Sequence, residues 1–464
     1  MSEVCNRGDQ SDDAFSEESV NQLVAAMRSE SRAPDLEERL ASLRRILNLI
    51  EEREDRILDA LKADLGKPPM EAWLSEVLFV KMELKLIIKK LRRWTKPRRV
   101  GSPFYFFPAK SEVRREPFGT VLVMAPWNYP FQLAVSPAIA AVAAGNRVVI
   151  KPSEAALATA SVMGELIGDA VDPRLVKVIK GNAAVGECLL KQDFDGFFFT
   201  GGEKVGRLVA QAAAKRMVPC VLELGGKCPV VIHESADIDI AVERIVFGKF
   251  FNAGQTCMAP DFALVPEKKV EEFMRSFRLA LERTYAAEGA EMARCVHEEQ
   301  RERVLSLVPE GACQMGNDGP HPLRLAPRWA VVDWEDPCMR EEIFGPFLPI
   351  VTYASEYECV EHLAARPSPL ALYVFSKNQE FISMLSQRVR SGSLGVNDVM
   401  KQATNLNLPF GGVGGSGFGR YRGKSGFDTF TYERAVTKRY FVPDLFALQQ
   451  PYGKTLERLR RWIG

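Results

Sequence analysis

Residues 120–151 read TVLVMAPWNYPFQLAVSPAIAAVAAGNRVVIK. The apolar run at 120–125 predicts a strand, and 133–144 predicts a helix with an alanine-rich face suited to close packing. Residues 147–150 predict a second short, apolar strand. Strand, helix and strand in this order, with apolar strands, indicate a parallel sheet covered on both faces.

The same alternation extends outward along the chain. Two helices are predicted upstream, near 36–61 and 70–93, and 98–116 reads as an exposed strand or hairpin leaving the main domain. Downstream elements are predicted at 155–169 (helix), 176–179 and 196–200 (strands) and 203–216 (helix). The second half is less regular and suggests a second α/β domain, with elements at 230–232, 238–250, 262–265, 267–285 and 330–332.

Composition excludes several classes of protein. The 464 residues allow about two to four domains, and 61 Lys and Arg balance 60 Asp and Glu, so nucleic acid is not an expected partner. Nine cysteines without paired metal-type spacing indicate reduced thiols and no metal site. Residues 1–20 are polar and acidic and are expected to be frayed or loosely docked. Prolines interrupt the longest apolar run, so we expect no transmembrane anchor and a cytoplasmic location.

Three polar or glycine-rich clusters follow predicted strands of the first half. They are 126–130, Lys151-Pro152-Ser153-Glu154 and Gly201-Gly202-Glu203-Lys204-Val205-Gly206. Ligands of open α/β sheets bind beyond the carboxyl ends of the strands, where these clusters would converge. A Lys and a Glu can reach ribose hydroxyls, and glycines let a helix N-terminus approach a phosphate. Each cluster alone is typical of a turn, but the three together favour a nucleotide site.

One further glycine motif has the wrong context for this role. Residues 412–417 read GVGGSG and satisfy G-x-G-x-x-G, but no strand–helix–strand unit follows them. The dinucleotide-binding interpretation requires that unit, so we interpret this segment as a turn or a domain connection.

A nucleophile is predicted at Cys257, in the small-residue loop Gly254-Gln255-Thr256-Cys257. A single cysteine is more often a small buried apolar residue, and the other eight are assigned that role. None of the four histidines has a motif-like context, so the base is expected to be a carboxylate. Glu223 stands between an apolar strand and a glycine pair, where its pKa should be raised, unless it forms a structural ion pair.

Taken together, these residues resemble the signature set of the aldehyde dehydrogenase superfamily. The matching runs are Pro126-Trp127-Asn128, Lys151 to Glu154, Phe199-Thr200-Gly201, Glu223 to Lys227, Gly254 to Cys257, and Glu342-Ile343-Phe344-Gly345-Pro346. They occur in the family's order over nearly the whole chain. Segments such as Glu116-Pro117-Phe118-Gly119 and 423–430 are similar to class 3, the fatty and aromatic aldehyde dehydrogenases.

The resemblance implies a role for each matching residue. Cys257 would be the nucleophile, Asn128 the oxyanion donor and Glu223 the base that activates water against the thioester. The implied ligands of NAD or NADP are Trp127, Lys151, Glu154, Gly201, Gly202, Glu203, Lys204, Val205, Gly206, Glu342 and Phe344. It also implies a homodimer that oxidises an aldehyde, medium- or long-chain aliphatic or aromatic, to the carboxylic acid.

The implied fold is α/β, with a Rossmann-type cofactor domain, an α/β catalytic domain and a small β bridging domain. The expected boundaries are 1–97 with 117–223, 224–410, 98–116 with 411–440, and a tail at 441–464. Residues 400–402 depart from class 3, because Met400-Lys401-Gln402 replaces a His-containing stretch near the expected substrate mouth. In the tail, Leu456, Leu459 and Ile463 share one helical face, which predicts a helix docked on the protein or on a partner subunit.

Three alternatives stay open at this level. One is a relative that transfers the acyl group to coenzyme A or to phosphate. Another is a thiol esterase that needs no nucleotide. The last is a catalytically silent scaffold that binds the cofactor. Glu223 at the base position favours hydrolysis, and the joint presence of Cys257, Glu223 and Asn128 disfavours the silent scaffold.

Overall fold

The computed structural model describes residues 17–30, 32–103, 106–286, 290–442 and 452–463. The helices are α1 (Glu17–Ser29), α2 (Leu36–Glu52), α3 (Glu54–Leu65), α4 (Pro69–Ala72), α5 (Phe79–Trp94), α6 (Gln132–Ala144), α7 (Leu157–Ala170), α8 (Ala183–Leu190), α9 (Glu203–Arg216), α10 (Ile238–Phe250), α11 (Val270–Tyr285), α12 (Glu298–Ser306), α13 (Glu356–Ala364), α14 (Gln379–Arg388), α15 (Gly423–Thr429) and α16 (Thr455–Ile463).

The strands are β1 (Arg98–Val100), β2 (Ala109–Pro117), β3 (Thr120–Met124), β4 (Arg147–Lys151), β5 (Val176–Val178), β6 (Gly196–Gly201), β7 (Cys220–Leu224), β8 (Pro229–Ile232), β9 (Phe262–Pro266), β10 (Cys313–Gln314), β11 (Arg328–Val331), β12 (Phe347–Tyr353), β13 (Ala371–Phe375), β14 (Ser393–Val396), β15 (Gly417–Phe418) and β16 (Thr431–Arg439).

The first sheet confirms the predicted parallel α/β unit. Its strand order is β15-β7-β6-β3-β4-β5, and all neighbours are parallel except the β15–β7 pair. Every residue of α6 is buried, because its small side chains let the helix lie between the sheet and the N-terminal helices. The GVGGSG motif ends in β15 at the edge of this sheet, which confirms that it is not a dinucleotide fingerprint.

The N-terminal helices follow their capping signals. Asp35 and Glu38 form a capping box at the start of α2, and Gly66 ends α3 in the left-handed conformation at φ 58°. The helix predicted over 70–93 is interrupted by a π-helical turn at Trp73–Leu78. The expectation of a loosely docked start is wrong for residues 17–20, because they open α1, whose Val20, Val24 and Met27 are buried. Residues 1–16 of that expectation lie outside the described residues.

The second sheet has seven strands in the order β10-β11-β12-β9-β8-β13-β14, antiparallel only at β10–β11. The sequence pattern predicts β8, β9 and β11 but misses β12, β13 and β14. Pro349 interrupts the apolar run of β12, and β14 contains Gly395 and is largely half-exposed, so neither gives a clear strand pattern. Parallel pairing of β12 with β9 and of β14 with β13 stabilises these strands nonetheless.

The third sheet is antiparallel, with the order β1-β2-β16. It confirms the exposed hairpin predicted at 98–116, and β2 pairs with β16 over residues 109–117 and 431–439. The segment 411–440 divides between two sheets, since β15 pairs with β7 and β16 pairs with β2. In the tail, α16 forms as predicted. Within the described ranges, no helix is long and apolar enough to cross a membrane.

Candidate active site

A cavity of about 620 Å³ brings together most of the predicted site residues. It is lined by Trp127, Asn128, Gly201, Gly202, Glu203, Glu223, Cys257, Glu342 and Phe344 among others. The lining does not include Lys151, Glu154, Lys204, Val205 or Gly206. Lys151 ends β4, the strand beside β3. Glu154 follows β4, and residues 204–206 lie in α9 after β6, so both segments flank the same carboxyl edge of the sheet.

The loop that presents Cys257 has an unusual backbone. Asn252 and Ala253 have φ 53°, and Gly254 has φ 73°, so three consecutive residues occupy the left-handed region. A Cβ on Gly254 would lie 2.6 Å from the carbonyl carbon of Gly345, so only glycine fits there. This sharp turn after α10 leaves the half-buried Cys257 at the cavity wall. Strained backbone of this kind is concentrated at functional sites.

Asn128 also lines the cavity. Its side-chain Nδ2 donates to the carbonyl oxygen of Gln255 at 3.0 Å, and its own carbonyl oxygen accepts from Asn252 Nδ2 at 3.0 Å. An amide nitrogen carries two N–H groups, and the second has no acceptor in the described part of the chain. The Asn128 loop and the Cys257 loop are therefore tied together, with one donor free to bind a negatively charged oxygen.

Glu223 lies in β7 and is 3% exposed. Neither of its carboxylate oxygens has a hydrogen-bond partner among the described residues. Burial raises the pKa of Glu223 well above its usual range, while the positive charges of Arg422 and Arg420 lower it. The structural ion pair considered for Glu223 is not found among the described residues, since both of its buried carboxylate oxygens are without a partner there. The raised pKa suits a general base.

The surroundings of Cys257 favour the neutral thiol over the thiolate. Burial, with the nearby carboxylates of Glu342 and Glu223, raises the pKa of Cys257 to about 12, against a smaller lowering by Arg422. None of the four histidines, all within the described ranges, lines the cavity, which agrees with a carboxylate rather than a histidine as base. The eight described cysteines are all unpaired thiols.

The dinucleotide side of the cavity has the features of a phosphate-binding edge. Gly202 begins α9 without a side-chain cap, so the first backbone N–H groups of the helix point outward unpaired by side chains. A Cβ on Gly202 would meet nothing within 4 Å, which leaves room for a ligand. Lys151 is 4% exposed, and its Nζ donates to the Pro152 carbonyl oxygen at 2.8 Å and to Glu154 Oε2 at 3.3 Å.

Glu342 and Phe344 lie in the segment between β11 and β12 and line the cavity. The rings of Phe344 and Trp127 meet edge to face at 5.4 Å, and Phe344 has φ 49°. Burial and the nearby charge of Asp261 raise the pKa of Glu342 to about 8. A Cβ on Gly225 would lie 2.8 Å from Glu342 Cδ. The absence of a side chain at Gly225 therefore leaves the space that the Glu342 carboxylate occupies against the backbone.

Sequence reasoning missed the cations that hold this segment. Arg303 donates to the Glu342 carbonyl oxygen at 3.0 Å and to that of Ile343 at 2.7 Å. Lys227 pairs with Asp261 and donates to the Glu341 carbonyl oxygen at 2.8 Å. Arg303 lies in the polar helix α12, where no local motif singles it out in the sequence. Lys227 lies inside the quoted Glu223 to Lys227 run, so that run was the sequence signal that could have identified it.

An apolar cluster borders the reactive centre on the other side. Tyr129, Leu133 and Phe251 are buried together, and Met400 packs against them. The Tyr129 hydroxyl shares a 2.6 Å hydrogen bond with the Thr256 hydroxyl, which fixes the ring beside the Cys257 loop. Met400, in the stretch that departs from class 3, therefore contributes an apolar surface next to the Cys257 loop.

Comparison with known proteins agrees with this geometry. The model of the "Aldehyde dehydrogenase family" matches residues 10–436. The 4,4'-diaponeurosporen-aldehyde dehydrogenase of Staphylococcus aureus is 40% identical over 408 residues, covering 86% of this chain and 89% of its own length. Aldehyde dehydrogenase family 3 member H1 of Arabidopsis thaliana is 37% identical over 431 residues, covering 91% and 89%.

Solved structures are similar over the same length. A substrate-bound state of Staphylococcus aureus AldH superposes with a TM-score of 0.92 at 37% identity, covering 96% of this chain and 99% of that one. A Mycobacterium tuberculosis aldehyde dehydrogenase complexed with NAD+ superposes with a TM-score of 0.80 at 28% identity, covering 93% and 92%.

Proposed function

Because this chain belongs to the aldehyde dehydrogenase family and is an NAD(P)-dependent oxidoreductase, we propose that Cys257, Asn128 and Glu223 form its catalytic set. The observation that carries the proposal is that all three line the same cavity as Glu342 and Phe344. A nucleophile, an oxyanion donor and a base that line one cavity are what acyl transfer through a thioester requires. The product would be the carboxylic acid.

The first chemical step belongs to Cys257. Its thiol must lose a proton, after which the sulfur attacks the aldehyde carbon and a C–S bond forms. The carbonyl oxygen takes the negative charge and is stabilised by Asn128 Nδ2 and by the backbone N–H of Cys257. A preorganised donor of this kind contributes roughly 3–4 kcal/mol to the transition state.

The cofactor supplies a hydride acceptor when bound, and its contacts follow the cavity. The uncapped start of α9 and the open space at Gly202 fit a pyrophosphate. Lys151 and Glu154 would bind the adenosine ribose, while Glu342 and Phe344 would position the nicotinamide ribose and ring. Glu203, Lys204, Val205 and Gly206 form the first turn of α9.

Glu223 would complete the reaction by hydrolysis. Its carboxylate takes a proton from water, the oxygen of that water adds to the thioester, and the Cys257 sulfur leaves. A carboxylate with a raised pKa is a stronger base once ionised. This favours water over coenzyme A as the acyl acceptor, because transfer to a thiol needs no such base.

The substrate proposed is an apolar aldehyde, medium- or long-chain aliphatic or aromatic. Support comes from Tyr129, Leu133, Phe251 and Met400, which border the nucleophile loop with apolar surface. The 40% identical staphylococcal relative is named for the aldehyde 4,4'-diaponeurosporen-aldehyde. Burial of each methylene stabilises binding by about 0.8 kcal/mol, so KM should fall as the carbon chain of the aldehyde lengthens.

Assembly and location are further proposals. A homodimer is supported by large apolar side chains exposed near the third sheet, among them Phe107, Phe441 and Val442. The unpaired cysteines support a reducing compartment such as the cytoplasm. The first two sheets support a cofactor domain at 1–97 and 117–223 and a catalytic domain at 224–410. The third sheet supports a bridging domain of 98–116 with the β16 part of 411–440, since β15 pairs with β7 of the first sheet.

The test is formation of reduced cofactor by purified protein, with NAD+ and NADP+ in parallel, across short, long and aromatic aldehydes. Cys257→Ala should abolish turnover and retain cofactor binding, whereas Cys188→Ala, a cysteine on α8 outside the cavity, should behave as wild type. Turnover retained in Cys257→Ala would reject the nucleophile. A requirement for added coenzyme A would reject hydrolysis.

A further inference from the structure

A buried cluster of charged side chains lies behind the candidate active site. Lys67 follows the end of α3, and Glu76 lies in the π-helical turn at Trp73–Leu78. Lys67 Nζ and Glu76 Oε1 are 2.6 Å apart, and neither side chain has any solvent exposure. Taking two charges out of water costs several kcal/mol per ion, so such a pair is weak evidence for a purely stabilising role.

Both partners of this pair contact the loop that carries Asn128. Lys67 Nζ donates to the Asn128 carbonyl oxygen at 3.0 Å and lies 4.2 Å from the centre of the Tyr129 ring. Glu76 Oε2 accepts from the backbone N–H groups of Phe131 at 3.0 Å and Gln132 at 2.9 Å. The pair therefore fixes the backbone on both sides of the Asn128–Pro130 turn.

The same segment also reaches the nucleophile loop. Glu71, in α4, accepts from the backbone N–H of Asn252 at 2.8 Å. Asn252 in turn donates to the carbonyl oxygens of Asn128 and Gln255. The residues between Gly66 and Trp73 thus contact both the Asn128 loop and the Cys257 loop. The π-helical turn that follows them is a local feature often found at functional sites.

We propose that Lys67 and Glu76 are positioning residues that hold the Asn128 carboxamide where it stabilises the oxyanion formed on the aldehyde. This inference rests on the proposed role of Asn128. Lys67 and Glu76 do not line the cavity, and they act through the backbone of residues 128–132. Because a misplacement of about 1 Å can cost about a hundredfold in rate, a loosened loop should slow acylation.

The experiment is a double-mutant cycle on the full-length chain, measured as kcat/KM for hydride transfer. The paired variant Lys67→Met/Glu76→Gln removes both charges together, so no unpaired buried ion remains. We expect it to lower kcat/KM by about 10- to 100-fold, with the Kd for NAD+ unchanged. In the Asn128→Ala background, the same two substitutions should lower kcat/KM by less than about a further threefold, because the Asn128 donor that Lys67 and Glu76 position is already absent.

The matched control is Lys85→Met, which breaks an exposed pair between Lys85 of α5 and Glu51 of α2 and should leave kcat/KM unchanged. If the paired variant does not fold, Glu76→Gln alone replaces it in the cycle. Equal losses in the wild-type and Asn128→Ala backgrounds would show a structural role only and overturn the proposal. An unchanged kcat/KM in Asn128→Ala itself would instead overturn the role of Asn128, and with it the positioning role.

Discussion

A methyl group placed on Gly225 would test whether Glu342 positions the cofactor. The Cβ of Gly225→Ala would lie 2.8 Å from Glu342 Cδ and closer still to one carboxylate oxygen. Ordinary contact begins at about 3.5 Å, so the carboxylate must move by about 1 Å. A displacement of about 1 Å at a positioning group costs about a hundredfold, which sets the expected fall in kcat for hydride transfer.

The assay distinguishes an effect on cofactor positioning from an effect on the Cys257 nucleophile. Formation of reduced cofactor should fall about a hundredfold, while hydrolysis of p-nitrophenyl acetate, which needs no cofactor, should stay within about threefold of wild type. The unfolding temperature should change little, because the carboxylate is the movable end of a side chain next to a cavity. Gly168→Ala is the control, since a Cβ there meets nothing within 4 Å. Wild-type kcat in Gly225→Ala would refute the reasoning.

Two further predictions follow from the buried carboxylates. Glu223→Gln should keep the first burst of reduced cofactor but lower steady-state kcat by about a hundredfold or more. Burial raises the pKa of Glu223, so the kcat of the wild type should rise with pH as the base ionises, whereas the kcat of the variant should not rise. A lost burst would contradict this role. The pKa of Glu342 is about 8 when folded, so the folded chain holds this proton more tightly than the unfolded chain, and stability falls as pH rises from about 4.5 to 8. Glu342→Gln should therefore raise the free energy of unfolding by about 1–3 kcal/mol at pH 9 and leave it unchanged below about pH 4.5. Urea denaturation of both proteins at the two pH values measures this difference. Equal effects at both pH values would count against the raised pKa of Glu342.

The sequence alone determined the elements whose local signals are strong. Residues 120–151 predicted β3, α6 and β4, because apolar strands and a small-residue helix differ clearly in period. The runs around Asn128, Glu223 and Cys257 also carried enough local chemistry to be singled out. These are short contiguous motifs, so their information lies along the chain.

Tertiary structure decided what depends on distant partners. Strand β12 pairs with β9, β13 with β8, and β14 with β13. Helix α1 is docked through a buried face that the polar composition of residues 1–20 did not indicate. The contacts of Lys67 and Glu76 join residues 61 and 55 positions apart along the chain. A lysine and a glutamate read as surface residues in sequence, and only the folded chain removes them from water. A local pattern specifies backbone conformation and chemical type, whereas burial, pKa and positioning arise from groups that folding brings together.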